Sequence, residues 1–138
     1  DIENMTVGDI MPREVITVGR NEQLRVVDDM MQLGHVRHMP VVDEDGRLVG
    51  ILSQRDLFHN AVLKAIGYGD HGMDKLLAML QVKEAMVSEV ITVTADSPLK
   101  DAARLMIDAQ IGCLPVLASG RIIGILTETD LAALIAEG

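Results

Sequence analysis

The sequence predicts an α/β fold made of two copies of one small β-α-β-β-α unit. The chain repeats itself at a nearly constant spacing, and each copy carries short β-branched runs with a glycine turn between two of them. Glu14-Val-Ile-Thr-Val18 returns unchanged, 75 positions later, as Glu89-Val-Ile-Thr-Val93. The spacing falls to 74 after the turn, where Gly50-Ile-Leu-Ser53 matches Gly124-Ile-Leu-Thr127. A register broken only once, at a predicted turn, indicates a duplication.

The first copy is predicted to contain a strand, a helix, a two-stranded hairpin and a last helix. Their expected bounds are Ile16–Val18, Glu22–Leu33, His38–Val42 with Leu48–Leu52, and a helix past Leu57 to Ile66. Asn21 is the expected N-cap of the first helix and Gly34 its stop. Asp45-Gly46 forms the hairpin turn, and Ser53 caps the last helix.

The second copy follows the same order. Its expected elements are a strand at Ile91–Val93, a helix with Ser97 as cap and Pro98 as first residue running to Ala109, strands Cys113–Leu117 and Ile122–Leu126 around Ser119-Gly120, and a last helix capped by Thr127. The domain boundaries are then 7–66 for repeat 1, 67–81 for a linker with a glycine loop and a short helix at Met73–Gln81, and 82–136 for repeat 2. Because each copy is too small to stand alone easily, the two sheets are expected to pack with pseudo-twofold symmetry.

The composition limits the classes of function. Hydrophobic residues make up 49% of the 138 residues and aromatic residues 1%, which predicts an aliphatic core. The net charge of −9 argues against nucleic acid or anionic membranes as partners. No apolar run reaches the roughly 18–20 residues of a membrane span, so we expect a cytoplasmic protein. Cys113, the single cysteine, cannot form an internal disulfide and is expected in the core.

The order of the motifs resembles the CBS domain, which is named after cystathionine β-synthase and occurs in pairs. The resemblance is carried by the Val-Ile-Thr-Val strand, the Pro-Val of the hairpin at Pro40-Val41 and Pro115-Val116, and the closing motifs Gly50–Asp56 and Gly124–Asp130. It covers nearly the whole chain outside the central insert. It implies two related clefts between the repeats that bind AMP, ADP, ATP or another adenosine compound, and it also implies a homodimer.

The resemblance and the chemistry of the residues point to one favoured cleft. A carboxylate at the helix start can accept both hydroxyls of a ribose, and hydroxyls with helix N–H groups can meet a phosphate. Arginine can engage two phosphate oxygens at once. The favoured ligand-binding set is Ile16, Val36, Arg37, His38, Ile125, Thr127, Thr129 and Asp130, with the aliphatic residues facing the adenine.

The second cleft lacks the basic pair and is expected to be empty, weaker or specific for a less charged ligand. Its residues are Ile51, Ser53, Arg55, Asp56, Ile91, Ile111 and Cys113. A Ser/Thr-x-x-Asp motif is also a plain helix cap, and that reading stays open beside ligand binding.

The sequence predicts a regulatory module that reports an adenine nucleotide to an unknown protein partner. It predicts neither an enzyme nor a required cofactor, since no nucleophile has an identifiable base, and two histidines without a third ligand do not indicate a metal. S-adenosylmethionine as the ligand, or a ligand-free dimerisation scaffold, are the alternatives.

Overall fold

The computed structural model describes residues 1–57 and 72–137. The predicted helix continuation over 58–66 and most of the glycine loop lie outside the described residues. Contacts divide the chain into two compact units. The central unit is Ile16–Val90, and the terminal unit combines Asp1–Val15 with Ile91–Gly138.

Helices and short strands alternate along the described chain, which confirms a mixed α/β fold with two repeats. The helices are α1 (Val7–Ile10), α2 (Leu24–Gly34), α3 (Gly72–Met79), α4 (Leu99–Ala109) and α5 (Glu128–Glu137). The strands are β1 (Val18–Gly19), β2 (His38–Val42), β3 (Leu48–Ser53), β4 (Cys113–Ala118) and β5 (Arg121–Thr127). Two short 3-10 turns lie at Ile2–Asn4 and Val82–Glu84, and residues 54–57 are helical.

Each unit is built around an antiparallel hairpin. In the central unit β1 pairs parallel to β2, which pairs antiparallel to β3. In the terminal unit β4 pairs antiparallel to β5, and the expected strand at Ile91–Val93 is reduced to a single parallel bridge between Val93 and Val116. The expected strand at Ile16–Val18 is likewise displaced to Val18–Gly19.

The helix ends differ from those expected. The N-cap of α2 is Gln23, and the Asn21 amide instead donates to Glu44 (3.0 Å). The stop of α2 is His35, with φ 53°, one residue beyond Gly34. Pro98 occupies the N-cap position of α4 with extended ψ, so it is not the first helical residue.

The expected cap residue Ser97 serves the turn before α4. Its hydroxyl accepts a hydrogen bond from the Thr94 N–H at 3.1 Å. A side chain used in this way is not the helix cap, and α4 has no side-chain N-cap bond. Its C-terminal end at Ala109 is as predicted.

Each unit has its own aliphatic core, as the composition predicts. The core of the central unit consists of Val18, Leu24, Val27, Met31, Met39, Val41, Leu52, Leu57, Leu77, Val82 and Ala85. The core of the terminal unit consists of Val7, Met11, Leu99, Ala102, Met106, Leu114, Val116 and Leu126. Cys113 is also buried, at 7% exposure.

The segment that leads into each repeat packs on the other repeat. In the terminal unit Val7 donates its N–H to the Ser97 carbonyl at 2.9 Å, and in the central unit Val82 donates to the Glu22 carbonyl at 2.8 Å. Val82 and Glu22 are the repeat equivalents of Val7 and Ser97, so one bond recurs in both units. Each compact unit therefore contains residues from both sequence repeats.

Candidate functional site

The first Ser/Thr-x-x-Asp motif begins where β3 ends. Ser53 lies opposite His38 in the hairpin, and its hydroxyl accepts a hydrogen bond from the Asp56 N–H at 2.9 Å. The Gln54 N–H donates to the Arg37 carbonyl at 2.8 Å. The central unit therefore brings Arg37 and His38 beside Ser53, and Ser53 is a helix cap as predicted.

The second motif has the same backbone geometry in the terminal unit. Thr127 lies opposite Cys113, and the Glu128 N–H donates to the Gly112 carbonyl at 3.1 Å. The Asp130 N–H donates to the Thr127 hydroxyl at 3.4 Å. Thr127 therefore caps α5, also as predicted.

The two aspartates differ in what their carboxylates bind. Asp130 Oδ2 accepts both the Thr127 N–H (2.9 Å) and the Thr127 hydroxyl (3.0 Å), which closes a reciprocal capping box. The Asp56 carboxylate accepts no hydrogen bond from the described residues. Among the described residues, one motif thus has a carboxylate that accepts hydrogen bonds and the other has a carboxylate that accepts none.

Few backbone N–H groups in the first turn of the helices after Ser53 and Thr127 are available to bind a phosphate. In repeat 1 the N–H groups of Gln54 and Asp56 already have acceptors, and in repeat 2 those of Glu128 and Asp130 do. Within the described chain this leaves the N–H groups of Arg55 and Thr129 in the first turn, and both of these residues are exposed. Each motif therefore offers one such N–H group to a phosphate within the described chain, fewer than we expected.

The aliphatic residues expected around the adenine fall into three groups. Val36 and Ile111 pack against the cores of their own units. Ile51 and Ile125 are half-buried and lie opposite Pro40 and Pro115 in the hairpins.

The third group is exposed. The side chains of Ile16 and Ile91, at equivalent positions of the two repeats, are 49% and 39% exposed. Apolar carbon is therefore accessible at the start of both Ile-Thr-Val segments. Arg37 is exposed as well, and His38 is half-buried.

The backbone links from Arg37 to Gln54 and from Gly112 to Glu128 were not foreseen from the sequence. They place the residue before β2 or β4 directly on the first residue of the following helix. The sequence does show that Arg37 and Gln54 are the repeat equivalents of Gly112 and Glu128, so a bond in one repeat indicates the same bond in the other. Gly112 thereby joins the residues that shape the second motif.

The described part of the chain contains no cluster of three or more His, Cys, Asp or Glu side chains able to hold a metal ion. Over the same residues, every helix is too short or too polar to span a bilayer.

Comparison with known proteins identifies the architecture. The CBS domain family matches residues 7–62 and again residues 82–137. The chain belongs to the CBS domain family. A CBS domain-containing protein of Dictyostelium discoideum is 32% identical over 132 residues, which cover 94% of this chain and 90% of that protein.

Solved CBS proteins share the fold over nearly their whole length. The CBS domain pair of protein MJ0100, in complex with 5′-methylthioadenosine and S-adenosyl-L-methionine, is 28% identical with a TM-score of 0.78, covering 96% of this chain and 97% of that one. CBSX2 in complex with AMP is 28% identical with a TM-score of 0.77, covering 98% and 100%. Similar CBS pairs thus bind adenosine compounds.

Several other curated relatives are longer than this chain. It spans 40%, 43% and 33% of three of them, and 24% and 23% of two homoserine O-acetyltransferases. The likeness therefore covers less than half of the length of each of these proteins.

Proposed function

We propose that this chain is a non-catalytic regulatory module that binds an adenine nucleotide, of the AMP, ADP or ATP type, and signals by a change of conformation or assembly. The observation that carries the proposal is the Ser/Thr-x-x-Asp motif, present twice with the same backbone geometry, in a family whose members MJ0100 and CBSX2 were solved with adenosine ligands. The signal cannot exceed the ligand's differential affinity for the two states.

The chemistry of each motif suits the ribose and phosphate of a nucleotide. A carboxylate accepts hydrogen bonds from a ribose diol, and a hydroxyl can donate to a phosphate oxygen. We expect Thr127, Thr129 and Asp130 to act with Val36, Arg37 and His38, and Ile16 and Ile125 to contact the adenine. The second set, around Ser53, Arg55 and Asp56, lacks the equivalent of Arg37 and His38, since Gly112 and Cys113 stand there.

Calorimetric titration with AMP, ADP, ATP and S-adenosylmethionine tests the proposal. The expected result is saturable binding of AMP, ADP or ATP by the unchanged chain, with the affinity of the Asp130 motif weakened at least tenfold in Asp130→Ala by loss of a charge-assisted hydrogen bond. Asp108→Ala is the matched control, because Asp108 is an exposed acid near the end of α4. Absence of heat with all four compounds, confirmed by an unchanged melting temperature, would contradict nucleotide binding.

A ligand-free dimerisation module is the second candidate. It is favoured by apolar side chains exposed on the helices, with Leu33 of α2 at 85% and Ile107 of α4 at 68%. Monomeric proteins leave some apolar residues exposed, so these two residues favour the candidate only together with measured self-association. Concentration-dependent sedimentation without nucleotide binding would be the result that selects it.

A further inference from the structure

The hydrogen bonds at Asp130 determine what a ribose must displace. Asp130 Oδ2 already holds two donors, the N–H and the hydroxyl of Thr127, at 2.9 and 3.0 Å. A carboxylate oxygen has two lone pairs, so Oδ2 is fully occupied while Oδ1 accepts nothing from the described residues. A diol that binds both oxygens can therefore enter only when one Thr127 donor leaves Oδ2.

The donor that leaves is the Thr127 hydroxyl. The Thr127 N–H is fixed by the backbone where β5 ends, whereas the hydroxyl hydrogen turns about a single bond. The hydroxyl oxygen can keep the Asp130 N–H while its hydrogen points elsewhere. Ribose binding thus releases one hydroxyl hydrogen and need not uncap α5.

The released hydroxyl needs a new acceptor, and only a phosphorylated ligand supplies an anionic one. A nucleotide brings phosphate oxygens, so the Thr127 hydroxyl exchanges a carboxylate for a phosphate. A nucleoside without phosphate breaks the same hydrogen bond and offers no anionic acceptor in return. A net difference of one charge-assisted hydrogen bond corresponds to about a tenfold difference in affinity.

The Ser53 motif does not impose this condition. The Asp56 carboxylate has no hydrogen bond from the described residues, and the Ser53 hydroxyl serves the Asp56 N–H as an acceptor. No donor among the described residues has to leave Asp56 for a diol to bind it. Compounds with and without phosphate therefore face the same open carboxylate.

We infer that the Thr127–Asp130 hydrogen bond makes the repeat 2 motif selective for phosphorylated adenosine compounds, while the Ser53–Asp56 motif also accepts unphosphorylated ones. The inference rests on the proposed function, which it refines by assigning a ligand class to each motif. The two repeats then respond to different adenosine compounds within one chain.

Two variants of the 138-residue chain, each of which keeps one of the two aspartates, test the inference by calorimetry with AMP and adenosine. We call them the single-motif chains. Asp56→Ala leaves the Asp130 motif, and Asp130→Ala leaves the Asp56 motif. The ratio of AMP affinity to adenosine affinity is expected to be about tenfold larger in Asp56→Ala than in Asp130→Ala. Equal ratios would overturn the inference.

Removing the competing hydroxyl gives a second measurement with a distinctive sign. In the Asp56→Ala chain, Thr127→Val is expected to raise adenosine affinity about tenfold, because the diol no longer displaces a donor. Thr127→Ser keeps the hydroxyl and should retain the parent ratio, and Ser53→Ala in the Asp130→Ala chain should give no such gain. Adenosine affinity that falls or stays constant in Thr127→Val would overturn the inference.

The outcomes separate the inference from the proposed function. AMP binding by the unchanged chain, with equal ratios in the two single-motif chains, overturns the inference and leaves the proposed function standing. Binding of neither AMP nor adenosine by the unchanged chain overturns both. If Thr127→Val melts below the assay temperature, the ratio comparison between the single-motif chains decides alone.

Discussion

Replacing Gly124 by alanine tests how closely Met11 and Pro12, which follow α1, pack on strand β5 of the terminal unit. A Cβ added at this position would lie 2.6 Å from Met11 Sδ, 3.1 Å from Met11 Cγ and 3.1 Å from the Pro12 carbonyl oxygen. The sulfur end of the methionine can swing away, but the carbonyl oxygen belongs to the backbone. The residues after α1 would therefore have to shift from their place on β5.

Crowding of this kind costs about 1–3 kcal/mol, and alanine recovers at most about 0.5–1 kcal/mol of backbone entropy. We expect Gly124→Ala to lower the free energy of unfolding by about 1–2 kcal/mol in urea titrations followed by circular dichroism. Gly50→Ala should behave alike, because its Cβ would lie 2.5 Å from Met86 Sδ and 3.0 Å from the Val87 carbonyl oxygen.

Gly19→Ala is the matched control for this experiment. Gly19 also lies in a strand, and nothing stands within 4 Å of its Cβ position, so its stability should change by no more than about 0.5 kcal/mol. Adding Met11→Ala to Gly124→Ala should cost less than the sum of the single changes, since the contact is shared. If Gly124→Ala were as stable as Gly19→Ala, the close packing of Met11 and Pro12 on β5 would be refuted.

Two other perturbations follow from the helix ends and the first turn. His35 and Gln110 end α2 and α4 with φ of 53° and 55°, so His35→Gly and Gln110→Gly should each raise the free energy of unfolding by about 0.5–1 kcal/mol, measured in urea. The N–H groups of Arg47 and then Asp45 hold the pKa of Asp43 below its usual value. A lowered folded-state pKa stabilises the fold above the unfolded pKa, so Asp43→Ala should lower the melting temperature at pH 7 and by much less near pH 3. An equal loss at both pH values would contradict this role of the carboxylate.

The hairpins could be predicted closely from the sequence, because their signals are local. The Pro-Val-Val run and the turn at Asp45-Gly46 predicted β2 at its observed bounds, His38–Val42. The N-cap of α2 was wrong for a tertiary reason. Asn21 has the chemistry of a cap, yet its amide donates to Glu44 and its carbonyl accepts from Lys83 at 3.1 Å, and both partners are distant in sequence.

The site was predictable as a set of motifs but not as a set of hydrogen bonds. The repeat register alone identified Ser53, Asp56, Thr127 and Asp130 as equivalent pairs. Which carboxylate is engaged depends on the side-chain torsions of the two aspartates, and periodicity carries no information about these angles. The cross-repeat combination of Arg37 with Asp130 stays a prediction.

The segment before each repeat's first strand packs on the other repeat, and a duplicated sequence does not predict this arrangement. Val7-Gly-Asp-Ile-Met11 and Val82-Lys-Glu-Ala-Met86 occupy the same register, so either segment could pair with either repeat through the same backbone bonds. A pattern of residues cannot choose between two chemically equivalent docking sites. The chain passes from one compact unit to the other between Val15 and Ile16 and again between Val90 and Ile91. The sequence repeat is therefore the unit of duplication, whereas the unit of packing draws on both repeats.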